Sequence, residues 1–156
     1  MKAYIISSFL KGDENEISFL IKRVFDEFVA PDYTKEGNDF FYNFIKPANL
    51  LSRAEIGNLI LTIKSEGKIT GMIEVRDNFH ICLLFVDKNH HGKGLSKLLF
   101  NKALDEIRKN SPYISFIEVN SSLYAIGAYK SLGFQLIGEM KEANGIKYFP
   151  MVCYLK

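Results

Sequence analysis

The chain has 156 residues, of which 47% are hydrophobic, and its formal net charge is only +2. This length and composition predict one domain, residues 1–156, with a full hydrophobic core, and the small net charge disfavours a nucleic-acid-binding protein, which usually carries a strong basic excess. The apolar runs are too short to span a bilayer, so we expect no membrane-spanning segment and no membrane partner.

The first part of the chain predicts one strand followed by two helices. Residues 3–9 are typical of a strand, and because this run ends in Lys11 and Asp13 rather than at a small-residue cleavage site, we predict a cytoplasmic protein. Asp13 and Glu16 resemble a capping box, and a helical apolar stripe follows and stops before Pro31. Residues 36–57 are also typical of helix, although Pro47 interrupts them.

The remainder predicts a sheet interrupted by two helices. Two alternating runs form a hairpin, with Leu59, Leu61 and Ile63 on one face of the first strand and Ile69, Gly71, Ile73 and Val75 on one face of the second. A strand apolar on both faces follows, then an amphipathic helix, a strand, a short helix and a closing hairpin that turns at Asn144-Gly145. Cys82 and Cys153 lie in apolar strands without a CxxC spacing, which indicates core residues.

A glycine-containing loop joins the central strand to the amphipathic helix, with the sequence HGKGLS at residues 91–96. The first N–H groups of a helix lack intrahelical acceptors and carry partial positive charge, so such a loop can bind an anion, most naturally a phosphate. The sequence matches neither a P-loop nor a dinucleotide-binding fingerprint. A tight turn without a ligand therefore stays an open alternative.

Three segments resemble the GCN5-related N-acetyltransferase (GNAT) family. The loop HGKGLS is similar to the family's (Gln/Arg)-x-x-Gly-x-(Gly/Ala) motif, with His91 and Ser96 as departures from it. The stretch VNSSLYAIGAYKSLGF resembles the second signature, and NGIKYFPMVCYL resembles the closing hairpin. The resemblance implies a single-domain α/β fold, with a mixed, mostly antiparallel sheet flanked by helices in the order β α α β β β α β α β β.

The resemblance also implies an activity: an acetyl-CoA-dependent N-acyltransferase that transfers acetyl directly to a small-molecule or peptide amine, without a metal, as a monomer or homodimer. Tyr129 matches the general acid, and Asn120 matches a contact to the pantetheine or acetyl region. The residues matched to cofactor binding are Leu84, Phe85, Val86, His91, Gly92, Lys93, Gly94, Leu95 and Ser96. A non-catalytic acyl-CoA sensor on the same fold is the alternative.

Each assignment competes with a plainer interpretation. Tyr129 is also a typical core aromatic, and Asn120 could cap the following helix. Glu74, His80 and Glu118 could serve as a general base, but no spacing selects one, and outward-facing strand residues are the simpler interpretation.

The acceptor amine is predicted to contact the loop after the first helix. Carboxylates attract a cationic amine and aromatic faces can hold one, which selects Asp32 and Tyr33 from that loop. Around the adjacent His90 and His91 no spacing of Asp, Cys or Glu completes a metal site, and adjacent loop residues rarely bind one ion together.

Overall fold

The computed structural model describes residues 3–156, which form an eight-stranded sheet flanked by five α-helices. The strands are β1 Tyr4–Ser8, β2 Leu59–Ser65, β3 Lys68–Arg76, β4 His80–Val86, β5 Phe116–Ser121, β6 Gln135–Leu136, β7 Lys141–Ala143 and β8 Ile146–Tyr154. The helices are α1 Glu14–Phe28, α2 Lys35–Phe44, α3 Pro47–Glu55, α4 Leu95–Asn110 and α5 Ile126–Ser131. The predicted class, a mostly antiparallel mixed sheet flanked by helices, is confirmed.

The strand order is β1-β2-β3-β4-β5-β8-β6, with β7 paired to β8. Every pairing is antiparallel except that of β4 with β5, which is parallel and very short. Only His80 with Glu118 and Ile81 with Val119 are paired there. The two central strands therefore separate soon after they meet.

Two hydrophobic clusters cover the two faces of the sheet. The first packs α4 against β2 and β3 and includes Leu61, Ile73 and Leu99. The second packs α1 and α3 against the opposite face and includes Ile17 and Leu50. The helical stripe of α1 is buried as its spacing predicts, and burial of such side chains stabilises the fold by about 1.5–3 kcal/mol each.

Three local predictions are wrong. The Asp13–Glu16 capping box does not form, because the Glu16 carboxylate accepts a hydrogen bond from the Ile69 N–H (2.7 Å) and the Asp13 carboxylate accepts one from the Leu10 N–H. The β2–β3 register shifts beside Ile63, and the extra residue, Thr70, turns Ile69 to the opposite face from Ile73.

Third, the element order is more divided than expected. Residues 36–57 form two helices rather than one, because Pro47 begins α3 at a position where its missing N–H costs nothing. The first strand of the closing hairpin is split into β6 and β7. Asn144 and Gly145 both have positive φ, as the predicted tight turn requires.

No helix within residues 3–156 is long and apolar enough to cross a membrane.

Candidate active site

The separation of β4 from β5 opens a cleft of about 520 Å³ in the middle of the sheet. A second shift in register, between β3 and β4, accompanies it: Glu74 pairs with Leu83 and Val75 with Ile81, so Cys82 is an extra residue in β4. The bulge bends β4 at the point where β5 departs. The β5-facing edge of β4 after Ile81 thus has no ladder partner and borders the cleft.

The glycine loop forms the second wall of the cleft. Gly92 and Gly94 have φ values of +76° and +77°, a backbone region that favours glycine, and a Cβ on either would meet no atom within 4 Å. Helix α4 then begins at Leu95. Its first-turn N–H groups have no intrahelical acceptor, as at every helix start, and no side chain caps them. Their positive end faces a concave, accessible surface.

The cleft contains most of the residues that the sequence selected. Leu84, Phe85 and Val86 line it from β4, His91, Gly92, Gly94, Leu95 and Ser96 line it from the loop and α4, and Asn120, Tyr129 and Tyr33 complete the set. Lys93 and Asp32 are exposed and do not line it. Lys97, in the first turn of α4, lines the cleft instead and supplies a positive charge, although the motif did not select it.

His91 ties the loop to the end of β4. Its Nε2 donates a hydrogen bond to the carbonyl oxygen of Val86 (2.7 Å), and its ring lies 5.7 Å from that of Phe28. Since a carbonyl can only accept, the proton is on Nε2. His90 next to it is held at Nδ1 by the hydroxyl of Tyr4 (3.0 Å). Both histidines therefore contribute to the shape of the loop.

Tyr129 lies at the floor of the cleft and is only 7% exposed. Its ring contacts that of Phe134 edge-on, with centroids 5.4 Å apart. Among residues 3–156 its hydroxyl has no hydrogen-bond partner. Burial, with a smaller contribution from nearby Cys82, raises the pKa of Tyr129 far above its ordinary value, so the phenol keeps its proton at neutral pH.

Asn120 is the second-to-last residue of β5, it lines the cleft, and its side chain is exposed. It does not cap the next helical turn, because the Ala125 N–H is bound by the hydroxyl of Ser122 (3.2 Å). The Asn120 amide is thus left directed to solvent or to a ligand in the cleft.

None of the three general-base candidates lines the cleft. The expectation that they face outward is wrong for Glu74, which is 0% exposed and paired with Arg53 (2.7 Å), and for His80, which is buried. His80 contacts Glu118 through Nδ1 (2.8 Å), and burial lowers its pKa despite the opposing effect of that carboxylate. These three side chains therefore form contacts within the sheet and are not placed to act on a ligand in the cleft.

The remaining wall comes from the N-terminal helices, where the sequence selected Asp32 and Tyr33 and only Tyr33 lines the cleft. Val24 and Phe25 of α1, Val29 after it and Phe41 of α2 also line the cleft. Their apolar periodicity indicates core packing and gives no signal that this part of the core borders a cleft. Within residues 3–156, no cluster of three or more His, Cys, Asp or Glu side chains could hold a metal ion.

Known structures of the same fold are similar over nearly the whole chain. A GCN5-related N-acetyltransferase (aminotransferase, class-II) from Rhodopseudomonas palustris matches with a TM-score of 0.83 and 19% identity, covering 99% of this chain and 98% of that one. The PaiA N-acetyltransferase from Thermoplasma acidophilum, in complex with coenzyme A, matches with a TM-score of 0.80 and 16% identity, covering 98% and 99%.

An aminoglycoside 6′-N-acetyltransferase complexed with coenzyme A matches with a TM-score of 0.69 and 13% identity, covering 96% of both chains. At these identities the likeness concerns the fold. The family is shown by sequence, since residues 29–155 match the family model described as an acetyltransferase (GNAT) domain. The chain therefore belongs to the GNAT family of acetyltransferases.

Proposed function

We propose that this protein transfers an acetyl group from acetyl-CoA directly to a primary amine, with Tyr129 as general acid. The observation that carries the proposal is that one cleft joins three features: the uncapped N-terminus of α4, the unpaired edge of β4 and the protonated hydroxyl of Tyr129. Two proteins of the same fold are described as complexes with coenzyme A.

The residues of the cleft fit the parts of coenzyme A. The N–H groups of Leu95, Ser96 and Lys97 would hold the pyrophosphate, since glycines at positions 92 and 94 let it approach the backbone closely. Neither departure from the family motif removes one of these donors. Lys93 is exposed, so its charge would attract the phosphates at longer range.

The pantetheine arm would lie along β4. The backbone of Leu84, Phe85 and Val86 has no partner in β5. Its N–H and C=O groups on that edge can therefore form hydrogen bonds with an extended ligand, as they would with a neighbouring strand. Asn120 faces this edge from the end of β5 and would contact the same arm.

Acetyl-CoA supplies an activated acetyl group as its thioester. As the amine nitrogen bonds to the acetyl carbon and the carbon–sulfur bond breaks, Tyr129 gives its proton to the departing sulfur. The nitrogen loses one proton in the same reaction, and this proton restores the tyrosine. If the amine arrives neutral, the proton balance closes without a separate base.

The proposal is tested by incubating the protein with acetyl-CoA and a panel of polyamines, aminoglycosides, amino acids and peptide N-termini, reading released thiol. Turnover with at least one amine is expected. Coenzyme A binding by calorimetry without thiol release for any amine would favour the non-catalytic sensor instead.

Gly94→Asp should weaken coenzyme A binding severely, because its carboxylate would stand beside the pyrophosphate at the start of α4. Gly94→Asn is the matched control. Asn has nearly the same shape as Asp and must adopt the same φ of +77°, but its side chain carries no charge. We expect calorimetry to give at least about a tenfold weaker affinity for Asp than for Asn. Equal affinities would contradict the loop assignment, and Lys93→Ala should cost much less than either.

Neither cysteine should form an acyl-enzyme. Cys82 lines the cleft, but burial raises its pKa to about 11, so very little reactive thiolate exists at neutral pH. Cys153 is buried in the core, away from the cleft. Intact-mass analysis after mixing with acetyl-CoA alone should show no stable acetylation, and Cys82→Ala should keep measurable turnover. A stable +acetyl species lost in Cys82→Ala would contradict direct transfer.

A further inference from the structure

The acceptor half of the cleft has an apolar wall without a negative charge. It consists of Val24, Phe25, Val29, Tyr33 and Phe41, from α1, the segment after it and α2. No Asp or Glu within residues 3–156 lines any part of the cleft. The predicted carboxylate, Asp32, is exposed and lies outside the lining. The wall is therefore built for contact with an uncharged group.

Three carboxylates of α1 and α2 are already paired at the surface. Asp26 accepts from Lys22 (2.7 Å) and from the hydroxyl of Tyr42, and Asp39 accepts from Lys35 (2.7 Å). Glu27 likewise accepts from Lys88 (2.8 Å). An ammonium group that enters the cleft would lose water without gaining a carboxylate as counter-charge, which disfavours its binding.

Aromatic rings could replace a carboxylate only if their faces were open, and here they are packed on one another. The rings of Phe25 and Phe41 are stacked with centroids 4.0 Å apart and an angle of 13°. Tyr33 and Tyr42 each contact Phe25 edge-on, at 5.6 Å. The stack closes one face each of Phe25 and Phe41, and the ammonium of Lys22 already lies over the ring of Tyr42, 5.1 Å from its centroid.

The titratable groups on this side also stay neutral. Burial, with a smaller effect of Asp32, raises the pKa of Tyr33 to about 12, and burial raises that of Cys82 to about 11. Neither can take a proton from an ammonium group at neutral pH. Tyr33 and Cys82 therefore supply no base for a protonated amine, and the two imidazoles that line the cleft, those of His90 and His91, belong to the segment of the glycine loop rather than to this wall.

On the basis of the proposed acetyl transfer, we infer that the acceptor is a weakly basic amine, uncharged at neutral pH, carried on an apolar group of aromatic size; an arylamine is its simplest form. Such an amine matches the uncharged wall and needs no deprotonation before it attacks. Its one displaced proton balances the proton that Tyr129 delivers to sulfur.

The test compares two isomers, 4-methylaniline and benzylamine, which have the same atoms but differ in basicity. At pH 7 the first is neutral and the second is mostly protonated. We expect kcat/KM for 4-methylaniline to exceed that for benzylamine by at least about tenfold, because the benzylamine cation must first lose its proton or its water of hydration. A preference for benzylamine, or for the dication of 1,4-diaminobutane, would overturn the inference while leaving the proposed function intact.

A pair of variants locates the effect in the wall. Tyr33→Glu places a carboxylate there, and Tyr33→Gln has nearly the same shape without the charge. The ratio of kcat/KM for benzylamine over 4-methylaniline should rise about tenfold in Glu relative to Gln. Coenzyme A affinity, measured in both variants, checks that the fold is kept. An unchanged ratio in correctly folded variants would overturn the assignment of this wall to the acceptor, whereas absence of thiol release with every amine would instead overturn the proposed function.

Discussion

Tyr129→Phe should lower kcat by roughly 10²–10⁴-fold, the usual value of a positioned general acid. The substitution removes one oxygen and almost no volume. Because the Tyr129 hydroxyl makes no hydrogen bond to another residue of the described range 3–156, its loss should not destabilise the fold. Coenzyme A affinity and Tm should therefore stay close to the wild-type values.

Steady-state kinetics with any working acceptor measures the effect, and Tyr154→Phe is the matched control, since Tyr154 is 66% exposed at the far end of β8. The raised pKa of Tyr129 adds a second expectation. The phenol stays protonated as pH rises from 7 to 9, so wild-type kcat should not fall over this window. Unchanged kcat in the phenylalanine variant would make Tyr129 a packing residue only.

The sequence could predict this site because its signals are local. Positive φ at Gly92 and Gly94 and an uncapped helix start follow from residue type within a few positions. Tyr129 and Asn120 came from a motif whose fold brings the end of β5 and α5 to the same edge of the sheet. Tyr129 and Asn120 share one cleft with the glycine loop because β4 and β5 separate after Ile81.

Features that depend on distant partners could not be predicted. Glu16 has a good local use in a capping box, yet the Ile69 N–H from β3 binds it. Asp32 and Tyr33 are adjacent, and nothing in the sequence distinguishes them as ligand contacts. At the end of the 3-10 turn, Asp32 is exposed to solvent and Tyr33 lines the cleft. Ile69 follows the alternating pattern, but a bulge at Thr70 reverses its face. In each case tertiary contacts overrode a reasonable local preference.

Glu74 illustrates the same limit, because the partners of its carboxylate come from α3 and the segment that follows it. Arg53 binds its carboxylate in two places, through Nε (2.7 Å) and Nη2 (3.1 Å), and Asn58 adds a third hydrogen bond (2.8 Å). The guanidinium also donates to the Phe44 carbonyl and lies 3.7 Å from the centre of the Phe44 ring. This network joins α3 to β3 directly beside the Cys82 bulge.

Arg53→Met should lower the free energy of unfolding by about 3–5 kcal/mol, because it leaves the Glu74 carboxylate buried and without its counter-charge. Arg76→Met is the control: its pair with Asp77 is exposed at 46% and 63%, where an ion pair is worth about 0–1 kcal/mol. The double variant Arg53→Met/Glu74→Met should recover much of the loss, since the unpaired charge is gone. Urea unfolding of the four proteins measures these terms. If Arg53→Met costs no more than Arg76→Met, the buried ion pair does not hold α3 to the sheet, and the apolar packing of the cluster that includes Ile17 and Leu50 does so instead.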